Sequence, residues 1–558
     1  MSTTHTSSTD AHLEAAGRGE VVAQLADLEV GAMTMVKADG RRVCLIRTAS
    51  GVHAIDNACP HQGYGLAQGG LDGEMVTCQW HNWKFRVTDG TCLQGEEAVR
   101  VHLVDIDERG AVSVTINRPD PASQIPQLMA SLQSGIERNY IGQVSRDVVR
   151  LLHAGASPAE LVWVAIEHGA PRAEYGWGHA IASATDCLAM VELYDGDEQA
   201  LPIVQAIAGV AEVERDRPAR ELPAIAAAAD STAAAFRDAV EREQLKVAQG
   251  LVLGALARGA DLREMQAWFA AVISDHHLSY GHGAIYAQKA FELLEYVGWQ
   301  RADVVLGHLV PAIVFGTRED RLPYMRPFLR PLHALDLNEL ASVPSDANWS
   351  GRAALAELLL DSDRTAPATA AADALRAGAG IDGVLDACVI AVSERMLRYD
   401  VAGEFDFDDD FGWLDITHGL TYAHAVRWHQ RRLAEVGDAT SADMVRLTMW
   451  AVFLANWTGR HEWHSKVGPR ENVALDADLK IAGADLQRSS LLDGTSAFIV
   501  AAHAVKTSRA AALESLALGV ATPLEATARF MQAPKLERFV ARTVAESLGF
   551  LNGRIMRD

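Results

Sequence analysis

Two short cysteine–histidine pairs near the N-terminus constrain the fold of this chain more than any other feature of its sequence. The first pair is Cys59-Pro-His61, the second is Cys78-Gln-Trp-His81, and sixteen residues separate them. Two thiolates and two imidazoles on neighbouring loops suit a [2Fe–2S] cluster in which the cysteines hold one iron and the histidines the other. Structural zinc also accepts two Cys and two His ligands and is the alternative.

The order and spacing of these residues resemble the Rieske family, whose motif is C-x-H, a gap of sixteen residues, and C-x-x-H. The segments Trp83-Lys-Phe85 and Asp89-Gly90-Thr-Cys92 are similar to the usual continuation of that motif. The resemblance covers residues 20–117 and favours an all-β domain with a [2Fe–2S] cluster over a zinc site. The cluster ligands that it implies are Cys59, His61, Cys78 and His81.

The absence of two further cysteines indicates which kind of Rieske protein the chain resembles. Rieske proteins of respiratory complexes carry an extra cysteine in each cluster loop, and the two form a disulfide. Tyr64 and Trp80 occupy the corresponding places here. The cluster therefore resembles the low-potential kind of ferredoxins and aromatic-ring oxygenases, near the roughly −150 mV end of the Rieske range.

The spacing of apolar residues changes along the chain from a strand pattern to a helical one. Val112, Val114 and Ile116 alternate with polar residues, which is typical of a half-buried strand. Farther along, apolar residues spaced three or four apart predict helices. We therefore expect a multidomain protein with an all-β domain followed by a large all-α domain. The predicted segments are a flexible tail (1–19), the β domain (20–117), a proline-rich linker (118–127) and a His-rich helical domain (128–558) that could subdivide near 345–375.

The helical part contains short sequence echoes that predict helical repeats. Leu152-His-Ala-Gly-Ala156 returns as Leu256-Ala-Arg-Gly-Ala260 and as Leu375-Arg-Ala-Gly-Ala379. The first two are followed by Ser157-Pro-Ala-Glu and Asp261-Leu-Arg-Glu, which are helix N-cap patterns. We interpret the echoes as an internal duplication.

Charge and composition exclude several classes of partner. The formal net charge is −23, so nucleic acid and anionic membrane surfaces would repel the chain. The sequence contains no run of about 18 apolar residues, so no membrane-spanning helix is predicted. The six cysteines are too few for a disulfide framework, which favours a reducing, cytoplasmic location.

Histidines flanked by small residues recur in the helical part and suggest a second metal site. Neutral imidazoles that converge from several helices would bind iron, copper or zinc, and a carboxylate thirteen residues farther along could join them. With an electron donor upstream, we expect one or two additional iron ions. The predicted ligands are His179, His282, His424, His503, His277, Glu192 and Glu295.

Known oxygen-using folds do not account for this part of the chain. The ring-hydroxylating pattern of an acidic residue, two residues, His, four residues and His is only approached by Asp415, His418 and His424, since five residues separate the two histidines. Ferritin-like Glu-x-x-His repeats are absent. The Ala- and His-rich helices are faintly similar to questin-oxidase-like proteins, but this similarity maps no residue.

Two functions follow from these patterns. In one, the cluster passes electrons to a His-ligated iron that uses O₂ to oxidise a small organic substrate, and a ferredoxin, flavodoxin or reductase supplies the electrons in trans. In the other, the protein is an electron carrier or redox-responsive protein whose helices form a docking platform without a second metal. Iron beyond two per chain would favour the first.

Overall fold

The computed structural model describes residues 19–95, 97–406, 411–434, 441–457, 467–537 and 540–553. The described residues divide into two compact units, one ending at Leu128 and the other beginning at Met129. The first unit is rich in strands and the second is helical. The predicted order of an all-β domain followed by a large all-α region is confirmed.

The first unit contains ten strands within its described residues, and all their pairings are antiparallel. They are β1 (Glu20–Gln24), β2 (Ala32–Ala38), β3 (Arg41–Arg47), β4 (Val52–Asp56), β5 (Gly70–Asp72), β6 (Met75–Thr77), β7 (Lys84–Arg86), β8 (Cys92–Gln94), β9 (Val101–Ile106) and β10 (Ala111–Thr115). Six strands form one sheet in the order β1-β10-β9-β4-β3-β2, and β5 to β8 form a separate meander.

Alternating apolar residues build the core of the larger sheet. Val112 and Val114 are buried on one face of β10, where they pack with Val43 and Leu45 of β3. The two loops that carry the cysteine–histidine pairs both lead into strands of the smaller sheet. One loop follows β4 and leads towards β5, and the other joins β6 directly to β7.

The second unit is built from helices, of which 21 are described, the first beginning just before the boundary between the units. They are α1 (Ile125–Glu137), α2 (Ile141–His153), α3 (Pro158–Gly169), α4 (His179–Met190), α5 (Ala200–Val213), α6 (Ala233–Glu241), α7 (Leu245–Ala257), α8 (Leu262–Asp275), α9 (His282–Val297), α10 (Ala302–Val314), α11 (Arg326–His333), α12 (Leu337–Ser342), α13 (Arg352–Asp361), α14 (Ala366–Arg376), α15 (Gly380–Arg398), α16 (Trp413–Ala434), α17 (Ala442–Asn456), α18 (Leu479–Ser490), α19 (Phe498–Leu518), α20 (Thr522–Gln532) and α21 (Val540–Leu551).

The three sequence echoes coincide with three helix C-termini. Gly155, Gly259 and Gly378 follow α2, α7 and α14 with φ of 87°, 94° and 88°. After α2, the Ala156 N–H donates to the Leu151 carbonyl at 2.9 Å, and the same bond closes the other two helices. These are left-handed caps that any helix of this composition can use. The echoes therefore mark helix ends, and a duplication stays a prediction.

Four helices surround the histidine-rich part of the unit. Helix α9 packs against α4 and α16, and α19 packs against the same two helices. Every residue of α4 after His179 is buried, so this helix lies in the interior of the unit. Among the described helices, none combines the length and the apolar character that crossing a membrane requires.

Candidate functional site

Four histidines, one from each of these four helices, meet at one end of the bundle. His179 and His282 are the first residues of α4 and α9, and His418 and His503 lie in the second turns of α16 and α19. The Nε2 atom of His282 lies 3.2 Å from that of His179 and 2.9 Å from that of His418. His503 Nε2 lies 3.5 Å from His418 Nε2. We call these four residues the His cluster.

Backbone carbonyls orient three of the imidazoles. The Nδ1–H groups of His282, His418 and His503 donate to main-chain oxygens three or four residues earlier, at 2.5, 2.6 and 2.7 Å. A hydrogen bond at Nδ1 fixes the neutral tautomer that carries its lone pair on Nε2. The nitrogens that converge are therefore those able to bind a metal ion.

Burial keeps these imidazoles neutral. It lowers the pKa of His282 to about 3 and the pKa values of His179, His418 and His503 well below the usual range. The Lys506 ammonium lowers all four further. Among the described residues Lys506 Nζ has no hydrogen-bond partner, and burial lowers its pKa to about 7.

The spacing of the Nε2 atoms fits one metal ion. Imidazole nitrogens bind metals at about 2.0–2.1 Å, which sets neighbouring ligand atoms roughly 2.8–3.4 Å apart at angles near 90–110°. Three contacts link the Nε2 atoms of the His cluster, at 3.2 Å (His179–His282), 2.9 Å (His282–His418) and 3.5 Å (His418–His503). Lone pairs this close repel one another unless a cation lies between them. One donor atom from each of His179, His282 and His418 lies within 4.8 Å of the others.

An unusual loop positions His282. Ser279, Tyr280 and Gly281 adopt positive φ values of 45°, 57° and 90°, which is rare for the two non-glycine residues. The Tyr280 N–H donates to a Glu319 carboxylate oxygen at 2.8 Å, and Glu319 is buried. The surrounding structure therefore holds a conformation that the loop would not adopt alone.

A cavity of about 590 Å³ opens onto the His cluster. His179 and His282, the two half-buried members, line it together with Tyr286. The Tyr286 hydroxyl lies 3.3 Å from His179 Nδ1. A small organic molecule in the cavity could therefore approach a metal held by the cluster.

In the first unit, the two cysteine–histidine loops are closed in the same way. The Cys59 N–H donates to the Tyr64 carbonyl and the Gly63 N–H to the Cys59 carbonyl, both at 2.8 Å. In the second loop the Cys78 N–H donates to the Trp83 carbonyl at 2.8 Å. The fifth residue of each loop has a positive φ, which is 77° at Gly63 and 59° at Asn82. The two loops thus present their side chains alike.

The four predicted ligands of these loops converge. His61 Nδ1 lies 2.9 Å from His81 Nδ1. Cys59 and Cys78 are buried free thiols, and burial, with a further contribution from the Cys78 sulfur, raises the pKa of Cys59 to about 12. Two buried sulfurs beside two accessible imidazole nitrogens fit a [2Fe–2S] cluster whose His-ligated iron is nearer the surface.

Aromatic rings join the two loops where a disulfide is absent. Tyr64 and Trp80 stack with ring centroids 4.6 Å apart, and Trp80 is 56% exposed. Trp83 stacks on His61 at 4.9 Å. These contacts hold the loops together without a covalent bond.

Comparison with known proteins identifies this unit. Residues 20–105 match the family described as the Rieske [2Fe-2S] domain. The first unit is a Rieske domain. The match spans β1 to β8, nearly all of β9 and both ligand loops, so the predicted family is confirmed and a cluster is favoured over zinc.

Similarity to individual proteins lies in small parts of the chain. Cholesterol 7-desaturase nvd of Xenopus laevis is 39% identical over 64 residues, which are 11% of this chain and 14% of the desaturase. The ferredoxin component of the naphthalene 1,2-dioxygenase/salicylate 5-hydroxylase systems of Ralstonia sp. is 31% identical over 12% of this chain and 66% of its own length. The carbazole 1,9a-dioxygenase ferredoxin of Nocardioides aromaticivorans matches 18% of this chain and all of its own at 28% identity and a TM-score of 0.17.

Not all the ligands predicted in the helical unit come together. Of that set, the structure brings together His179, His282 and His503 and adds His418. His418 lies outside the predicted set, since Thr417 and Gly419 flank it, whereas two alanines flank His424. The distinguishing signal is position, since all four cluster histidines lie within two turns of a helix start, whereas His424 is deep within α16.

The other four predicted ligands lie elsewhere, each for a clear reason. His424 Nδ1 contacts the Glu514 carboxylate at 2.8 Å. His277 is buried against the rings of Tyr422, Trp450 and Phe453.

Both carboxylates are too far along their helices to join the histidines. Thirteen helical residues span about 20 Å, which is several times the length of a metal–ligand contact. Glu192 is exposed beyond the end of α4, and Glu295 pairs with Arg432 at 2.5 Å.

Proposed function

We propose that this chain is a Rieske-type oxygenase in which electrons from the N-terminal cluster reach an iron ion in the helical unit, where O₂ oxidises a small organic molecule. The observation that carries the proposal is the convergence of neutral imidazole Nε2 atoms from His179, His282 and His418 beside a cavity. His503 is the proposed fourth ligand, because its Nε2 lies 3.5 Å from that of His418, although the three histidines whose donor atoms are all mutually within 4.8 Å are His179, His282 and His418.

The [2Fe–2S] cluster and the proposed iron ion would supply complementary chemistry when bound. A Rieske cluster carries one electron at a time, and iron with histidine ligands and open positions activates O₂. Zinc would fit the nitrogens equally well but has no redox chemistry to receive those electrons. Iron is therefore the metal that makes use of both halves of the chain.

The protein itself supplies orientation, neutrality and access. Main-chain carbonyls hold the Nδ1 protons of three imidazoles and direct the Nε2 lone pairs inward. Burial keeps the imidazoles from taking up protons that would compete with a metal. The cavity brings the organic substrate to the face that His179 and His282 line.

The proposed electron donor is a separate protein. The first unit resembles the ferredoxin component of dioxygenase and hydroxylase systems, and a ferredoxin, flavodoxin or reductase in trans would reduce the cluster. Trp80 and His81 are exposed at the cluster end of the domain, which makes this end the proposed entry point for electrons.

Single-turnover oxidation tests whether electrons flow to the His cluster. The protein is reduced without air, freed of reductant and mixed with O₂ while the cluster absorbance is followed by stopped flow. We expect the wild type to reoxidise about tenfold faster or more than His418→Gln, because that variant lacks a ligand. His424→Gln removes a buried histidine from the same helix and should keep the wild-type rate.

Acid-labile sulfide must stay at two per chain in each variant, so that only proteins with an intact cluster are compared. Equal reoxidation rates in wild type and His418→Gln would contradict the proposal. That result would favour an electron carrier whose helices bind no second metal.

A further inference from the structure

The cavity beside the His cluster has a largely apolar wall. Trp177, Tyr286, Phe315 and Phe498 line it, and they come from four separate segments of the helical unit. Gly209 of α5 allows the Phe498 ring to approach, since a Cβ at that position would lie 2.6 Å from it. A volume of about 590 Å³ is within the range of small-molecule sites. The wall therefore suits an apolar organic molecule.

Two acidic residues, Glu174 and Glu214, also line the cavity, and of these Glu214 is the buried one. Glu214 follows the last residue of α5, lines the cavity and is only 2% exposed. Among the described residues, its hydrogen-bond partner is Arg217, at a long 3.4 Å from Oε2. Burial raises the pKa of the Glu214 carboxyl, although Arg217 partly offsets this effect.

A buried carboxyl with a single weak partner is costly unless something else binds it. Typical N–H···O bonds are near 2.9–3.0 Å, so the Arg217 contact satisfies little of its capacity. Arg217 is also shared, because its Nη2 lies 3.6 Å from Glu174. A hydroxyl or amine on a bound molecule would complete the hydrogen bonding of Glu214.

We propose that the cavity binds an apolar organic molecule through one hydroxyl or amine group that donates a hydrogen bond to Glu214, with its apolar part towards His179 and His282. This inference rests on the proposed function, for which the cavity is the substrate site. Glu214 then determines specificity, because a molecule without the donor group leaves the carboxyl unsatisfied.

Binding of two probes of similar shape tests this assignment. Benzyl alcohol and ethylbenzene differ chiefly in the group that can donate to Glu214, and their Kd values for the full-length metal-loaded protein are measured by calorimetry. We expect Glu214→Met to reduce the preference for benzyl alcohol over ethylbenzene by about tenfold, as for a hydrogen bond to a charged group. Glu212→Met, on the exposed side of the same helix, should leave the preference unchanged.

Glu214→Gln keeps an acceptor oxygen and should give an intermediate preference, which guards against a folding defect in the methionine variant. An unchanged preference in Glu214→Met, or no binding of either probe to wild type, would overturn the assignment. The metal ligands are tested separately by iron content. A Glu214-dependent preference in protein with no iron beyond the cluster would support the binding site and contradict the proposed function.

Discussion

His276 lies between two carboxylates at the start of the loop that leads to His282. Its Nδ1 is 2.9 Å from Asp320 and its Nε2 is 2.8 Å from Glu241. Burial opposes protonation of this imidazole, but the hydrogen bonds to the two carboxylates outweigh it, and the pKa of His276 is raised. Asp320 also accepts a hydrogen bond from the His277 N–H, so the charged pair secures the loop.

The raised pKa predicts a pH-dependent contribution to stability. It is fully present below the ordinary histidine pKa of about 6.5 and is lost as the pH rises through the folded-state pKa. We expect His276→Asn to lower the Tm more at about pH 6 than at about pH 9. The loss in the free energy of unfolding should be roughly 1 kcal/mol greater at the lower pH. Arg318 and Arg321 lie beside Glu241 in the wild type and in the variant alike. Their effect on stability therefore largely cancels when the two proteins are compared.

Thermal unfolding across this pH range checks the prediction. The matched control is His333→Asn, since His333 is exposed in α11 and its loss should leave the Tm unchanged at each pH. A Tm difference for His276→Asn that is constant with pH, or that grows as the pH rises, would contradict the expected charge on this residue.

Two histidines of α16 show how far the sequence around a single residue predicts its role. His418 and His424 both have small neighbours, and six residues place them on different sides of the helix. His418 faces His282, whereas His424 faces Glu514 of α19. Their neighbours in the chain are similarly small, so the position of each histidine along α16 and the packing of this helix against α9 and α19 distinguish the proposed ligand from the ion-paired core residue.

At the scale of elements, the left-handed turn before α9 sets the position of His282. Gly281 has a φ of 90°, and a Cβ there would lie 2.3 Å from the Tyr422 ring. We expect Gly281→Ala to destabilise the protein by about 2–4 kcal/mol, because it combines backbone strain with overpacking. Denaturant unfolding measures the loss, and iron content measures whether His282 remains in place.

Gly259, which caps α7, is the matched control for this substitution. It has a similar φ of 94°, but its Cβ position is open. Gly259→Ala should therefore cost only about 1 kcal/mol and leave the iron content unchanged. Equal losses at the two sites would show that packing against Tyr422 does not matter.

Most elements follow from local patterns, and the exceptions depend on distant contacts. The alternation of Val112 and Val114 predicts β10, and the glycine echoes mark helix ends. The positive φ values of Ser279 and Tyr280 have no local cause. They require Glu319 and other residues about forty positions away, which no periodicity of the loop reports.

At the scale of the whole molecule, the predicted cluster ligands and the His cluster differ in how their residues are distributed along the chain. The predicted cluster ligands lie between residues 59 and 81, on the loops that join β4 to β5 and β6 to β7, so their spacing identifies them. The His cluster draws on four helices between residues 179 and 503. Its histidines are separated by more than 80 residues each, and fixed spacing cannot predict which of the many histidines meet.

Iron and acid-labile sulfide, counted per chain in protein purified without air, decide whether the helical unit holds a metal. We predict two sulfides with more than two irons in wild type, two of each in His418→Ala, and the wild-type ratio in His424→Ala. Iron equal to sulfide in wild type after loading with Fe²⁺, or excess iron that survives loss of His418, would contradict a metal centre at the His cluster.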